Sequence, residues 1–360
     1  MEIEDVPEAA RPAREEHSEG GGNRLWLIVA LMLLLLLLSC CLLQLLFPAV
    51  RGTANKETVN GLTSVFGVYG LHQPLGVAAG PGGEIAVSDT GVQSLLLYDK
   101  NGAFTRRLGG SKPSNKVFSV DGLVFHRGRL YVCDWVLRRI WIFDLDGTAR
   151  GWFPRDAMSP KYGTEGFSPY DLAVLDDDFL VTSREGVFRF DGATRKLKGR
   201  FDKKAPDGIG VRFPNGIAVD AKSGTVYVCD VLNRRLVAFG RDGNPRWFVG
   251  KPDSGGRIRS LFGLPRGVAV TDGGVLVSDT FHHTLYLFSR SGKLLGWYGS
   301  RGVADGMLNF PEALDVAPDG LVYLADREND RIQVLKLNKP LPADKATQKK
   351  WRRNFVDLGD

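Results

Sequence analysis

The 360-residue chain is poor in the side chains that carry metal and redox chemistry, with four cysteines and five histidines. Cys40 and Cys41 lie in an apolar run, and Cys133 and Cys229 lie far apart in two similar Tyr-Val-Cys-Asp stretches. That is not a disulfide scaffold, and no Cys/His grouping has the spacing of a zinc site. There is no glycine-rich phosphate loop with its Lys-Ser/Thr and no serine nucleophile elbow, which removes two large enzyme classes. None of the twelve asparagines sits in an Asn-x-Ser/Thr sequon. A concentrated basic stripe is missing too. Residues 1–61 carry 5 basic and 8 acidic side chains, residues 339–360 carry 6 and 3, and the 36 basic and 30 acidic residues between them are thinly spread. A nucleic-acid binder shows a stripe of one sign, so no nucleic-acid partner is expected.

Only one long hydrophobic run is present. Leu25 to Phe47 is broken by nothing more polar than Ser39, Cys40, Cys41 and Gln44. As a helix it spans about 34 Å, enough for a bilayer core, and it is longer than the apolar part of a cleaved signal peptide. The expectation is an acidic tail over 1–24, a transmembrane signal-anchor over 25–47 and a linker over 48–61. Leu-Leu-Ser39-Cys40 also looks like a lipoprotein cleavage box, but the apolar run continues past it to Phe47. Arg11, Arg14 and Arg24 precede the run, and Arg51 and Lys56 follow it, so the positive-inside bias is weak. A short first tail and one early helix suit export of the rest. The missing sequons suit a bacterial plasma membrane, with the remainder of the chain outside the cytoplasm.

Glycine is abundant, at 44 residues, and aromatics reach 10%, a mixture that suits short strands joined by many turns. The chain repeats one unit six times. An apolar residue or proline opens each unit, and an apolar strand closing on an acid or serine follows. The closing residues are Asp89, Asp134, Ser183, Asp230, Asp279 and Asp326, spaced 45, 49, 47, 49 and 47 residues apart. A turn then leads to a third strand: LLLY (95–98), IWIF (140–143), VFRF (187–190), LVAF (236–239), LYLF (285–288) and IQVL (332–335). Hairpin signals such as Asp146-Gly147 and Asp242-Gly243 introduce a fourth. Four antiparallel strands at this period make a propeller blade. The sixth unit reaches Pro340 without a fourth strand, and Leu62 to Tyr69 is an unassigned strand before the first unit. The fold expected is all-β, a six-bladed propeller over 62–338 in which 62–69 completes the last blade, followed by a basic tail over 339–360.

These registers resemble the NHL repeat family, whose members form six-bladed propellers. The stretch LADRENDRIQ (324–333) resembles the last blades of peptidylglycine amidating lyase, a zinc enzyme of this fold. In that enzyme histidines follow the proline before the inner strands. Here those places hold Leu75, Asp121, Tyr170, Asn215, Arg266 and Glu312, so the resemblance does not carry the zinc chemistry. The charges of LADRENDRIQ recur around the ring, Asp326 at four other closing positions and Arg331 as Arg139 and Arg235. A repeated charge reads as a brace for the turn. Six-bladed lactonase-like hydrolases use Glu, Asn and Asp with calcium at the channel, but their order is not matched here. Some NHL domains bind RNA, which an exported domain would rarely meet.

The candidate ligand site is the channel mouth, with Asp121, Tyr170, Asp171, Asn215, Arg266, Glu312 and Asp315. Asp315 stands where other units place Ala or Val, and Arg266 is its expected partner, because an acid on an apolar strand needs one. A rim of solvated polar loops is the plain alternative. No cofactor is assigned. Oxygen donors such as Asp121, Asn215, Glu312 and Asp315 suit calcium better than zinc. His282-His283 reads as an exposed turn pair, with His126 at the other face. Cys133 and Cys229 read as buried and small. The tail from Lys345 to Arg353 is either a solvated extension or a segment for a partner or a membrane surface, with Trp351 as its aromatic. The function expected is a membrane-anchored scaffold that binds an envelope protein or a small ligand. The alternative is a calcium-dependent hydrolase or lyase.

Overall fold

The computed structural model describes residues 58–109, 117, 119–155, 167–203, 210–250 and 261–357. Among these, no helix is long and apolar enough to cross a membrane. The acidic tail, the anchor over 25–47 and most of the linker lie outside the described residues.

Six antiparallel sheets form a ring, and the inner strand of each touches the inner strand of the next, the last touching the first. The inner strands are Pro74–Ala79, Val120–His126, Pro169–Leu175, Pro214–Val219, Pro265–Thr271 and Pro311–Val316. Second and third strands such as Ile85–Asp89 and Ser94–Tyr98 are buried along their whole length, because a neighbouring blade covers each face. This explains their unbroken apolar sequences. The hydrophobic core is correspondingly divided into six clusters, each drawn from two adjacent blades.

The outer strand of blade six is Leu62–Val68, which pairs antiparallel with Arg331–Leu337. Leu62, Phe66 and Val68 are buried there, so strands from opposite ends of the ring share one sheet. The pairing satisfies an edge that would otherwise present open backbone groups.

The tail is not a solvated extension. After Asn338 it follows the outside of the ring, with Leu341 bridging to Trp297 on the outer strand of blade five. The helix Lys345–Asn354 follows, capped by Asp344, whose carboxylate accepts from the Thr347 backbone N–H. Phe355–Asp357 then adds a fifth strand to blade four beside Pro245–Val249. Trp351 packs against Phe355 and donates from Nε1 to the Gly292 carbonyl at 3.0 Å. The aromatic that looked available to a partner is used to hold the tail down.

Candidate functional site

The opening proline, the turn after the second strand and the entry loop of each blade all lie at one end, because Pro74 pairs with Asp89, Pro214 with Asp230, Pro265 with Asp279 and Pro311 with Asp326. At this turn face the inner strands crowd together. The residue two after the opening position is Gly76, Gly122, Gly216 and Gly267 in four blades. A Cβ at Gly76 would lie 1.9 Å from the Asp121 carbonyl oxygen, and one at Gly216 would lie 2.4 Å from that of Arg266. Glycine is therefore what lets adjacent blades meet. Side chains one step outward tie them: Ser88 Oγ donates to the Asp121 carbonyl, Thr182 Oγ1 to that of Asn215 and Ser278 Oγ to that of Glu312. Cys229 Sγ lies 3.5 Å from the Gly267 carbonyl in the same role. Cys229 and Cys133 are both buried and free.

The mouth is a charge network. Arg266 Nε donates to Glu312 Oε2 at 2.7 Å, and Arg327 Nη1 stands 3.3 Å from Glu312 Oε1. Burial works against the Arg266 charge, but Glu312 and Asp121 hold its pKa above the ordinary value. Asp121 is buried, and Asn215 Nδ2 donates to it over a long 3.5 Å. Burial, with Glu312 adding, pushes Asp121 up to about 6 against the pull of Arg266. Tyr170 stacks on Phe213 at 4.7 Å between ring centroids. Leu75, at the equivalent place in blade one, is half-buried.

Asp171 and Asp315 belong to a different layer. Both line a channel cavity of about 330 Å³ whose other walls are mostly Val, Ala and Leu. Asp171 accepts from the backbone N–H groups of Leu172 and, across the blade boundary, Ile217. Asp315 does the same with Val316 and Ala79. Arg266 is thus not the partner of Asp315, as the sequence suggested, because its side chain pairs with Glu312 at the mouth. The backbone of the next blade takes that place. Burial raises both carboxyls, Asp171 to about 8.

Of the expected residues, Asp121, Asn215, Arg266 and Glu312 are brought into one network, and Asp171 and Asp315 face the channel cavity. A calcium ion does not suit this donor set. Both oxygens of Glu312 meet guanidinium groups, and a dication would have to enter against two fixed positive charges. Among the described residues no three His, Cys, Asp or Glu side chains gather as a metal-binding group.

The repeated acids brace the loops. Asp326 accepts from the Asn309 backbone N–H at 2.6 Å and from Arg331 Nε at 2.9 Å, both side chains being buried. Asp230 does so with Arg212 N and Arg235, and Asp279 with Gly263 N and Leu264 N. The histidine pair divides. His282 is partly exposed, with Nδ1 2.7 Å from Asp279. His283 is buried and accepts from the Phe310 backbone N–H through Nδ1, so it is not the exposed residue that its place in a turn suggested. His126 lies at the far end of its inner strand, 3.7 Å from Asp177.

Sequence reasoning missed an apolar rim. Among the described residues nine large apolar side chains are exposed, and six of them, Val92, Trp135, Val136, Leu232, Phe281 and Val303, sit in turns and loops of the turn face. The other three, Val65, Phe104 and Leu295, are on outer strands. Leu232 and Phe281 are 52% and 54% exposed at matching places, two residues after the closing Asp. Apolar residues where a turn should be polar were the available signal. Leu232 also walls a cleft of about 360 Å³ on this face with Arg184, Glu185, Val211, Arg212 and Phe213.

Comparison with known proteins fits this architecture. The NHL repeat family matches residues 308–335, the heart of blade six. The chain carries an NHL repeat on a six-bladed propeller. The propeller is similar to a gluconolactonase from Xanthomonas campestris, at 19% identity over 81% of this chain and 97% of that one, with a TM-score of 0.57. It is also similar to a streptogramin B lyase, at 13% identity over 80% and 98%, with a TM-score of 0.53. A virginiamycin B lyase from Staphylococcus aureus matches at 12% identity over 77% and 99%, with a TM-score of 0.51. Identities this low speak for the fold alone.

Proposed function

We propose that this NHL propeller is a binding scaffold whose turn face receives a protein partner, held at a bacterial plasma membrane by residues 25–47 with the ring outside the cytoplasm. The observation that carries the binding reading is the apolar rim: six exposed apolar side chains, two of them aromatic, share the end of the ring that also holds the charged mouth. Aromatic and arginine side chains together are the composition of an interface core. The cleft beside Leu232 carries Arg184 and Arg212 against one acid, Glu185, so the partner is expected to place a carboxylate there. The hydrolase reading has no comparable support, since Glu312 is held between two guanidinium groups. The anchor rests on the length of the apolar run.

The test is co-purification of the full chain with its partner in mild detergent. The paired change Trp135→Ser and Phe281→Ser should abolish recovery of the partner, while Phe104→Ser on an outer strand leaves it unchanged. Equal recovery with all three proteins would refute a turn-face site.

A further inference from the structure

We infer that the helix Lys345–Asn354 is a membrane-surface element that lies against anionic lipid headgroups, an inference that rests on the reading of residues 25–47 as an anchor. Packing fixes which way the helix faces. Trp351 is tied to the Gly292 carbonyl and stacked near Phe355, which in turn packs on Trp247, and the following strand is paired into blade four. With Trp351 turned inward and Lys350 Nζ 3.5 Å from the Leu261 carbonyl, Lys345, Lys349, Arg352 and Arg353 are left exposed on ten residues that contain no acid. Clustered cations on a rigid element are attracted to an anionic surface, and the attraction falls away within a Debye length.

The site of chain entry favours lipid over an acidic protein. Ten residues, 48–57, separate the apolar run from Thr58, and fully extended they reach at most about 36 Å. Thr58–Val59 pairs with Leu62–Thr63 on the rim of blade six. The tail leaves from the same place: Asn338 N donates to the Gly61 carbonyl, and Gly299 N to that of Asn60. The tether therefore enters the propeller at blade six, where the tail begins before it crosses blade five to its helix. A short tether raises the effective concentration of the nearby surface, so weak individual charge contacts suffice.

The experiment uses the full chain in nanodiscs of phosphatidylcholine alone or with phosphatidylglycerol, with a photo-crosslinking side chain in place of Lys349. The expected result is several-fold more lipid crosslinking in the anionic discs, reduced by high salt and by Lys345→Gln, Arg352→Gln and Arg353→Gln together. The same probe in place of Lys100, on the hairpin of blade one, should not respond to lipid composition. Crosslinking at Lys349 that is independent of composition, or that goes to an acidic protein, overturns the inference and leaves the anchor standing. Failure of the full chain to enter discs of either kind overturns the anchor reading and removes the inference with it.

Discussion

Gly122 sets how closely blades two and three approach. A Cβ there would lie 2.1 Å from Asp171 Oδ1 and 2.5 Å from its Cα, because Asp171 takes the place where other blades have glycine or, in Ala313, a single methyl. Gly122→Ala should therefore cost about 1–3 kcal/mol by overpacking, measured as a lower denaturation midpoint. An unchanged midpoint would show that the inner strands separate freely. The carboxyl of Asp171 gives a second prediction. Its folded pKa of about 8 lies above the unfolded value near 4. The folded state thus holds the proton more tightly, and its contribution is full below about pH 4 and lost as pH rises through about 8. Asp171→Asn should flatten the fall in melting temperature between pH 5 and pH 8, and a slope identical to that of the parent chain would contradict this. At this scale the bracing acids were legible because they repeat. The link from Arg327 to Glu312 was not, since it joins a turn to an inner strand through a contact that the repeat spacing does not mark. The burial of His283 depends likewise on Phe310, 27 residues away.

The elements that matter most are the two that lie outside the repeat. Leu62–Val68 buries Leu62, Phe66 and Val68 in the last blade, and each such side chain contributes roughly 1.5–3 kcal/mol. Deleting 62–69 should lower the melting temperature on the order of 10 °C and expose Arg331–Leu337 to edge pairing. A melt that stays in place would mean that the ring does not need this strand. The vacancy in the sixth unit could be read in sequence, because a blade lacking its fourth strand leaves an edge to fill. The course of the tail could not, since Leu341, Trp351 and Phe355 meet strands of blades five and four through contacts that follow no period.

Over the whole molecule, six registers were enough to give six blades, because every blade solves the same packing problem at nearly the same spacing. The proposed binding face is harder to see in sequence. Its apolar residues are scattered from Val92 to Val303 and share only a place in the turns and loops of one end. The ring gathers them around the Arg266–Glu312–Arg327 mouth, and this gathering is the basis of the scaffold reading. The most direct measurement is site-specific photo-crosslinking in intact cells, with the probe in place of Phe281, Leu232 or Phe104 in the full chain. The Phe281 and Leu232 probes should capture one and the same protein, and the Phe104 probe should not. Capture of that protein from Phe104 alone, or from none of the three while it still co-purifies with the chain, would contradict a turn-face site.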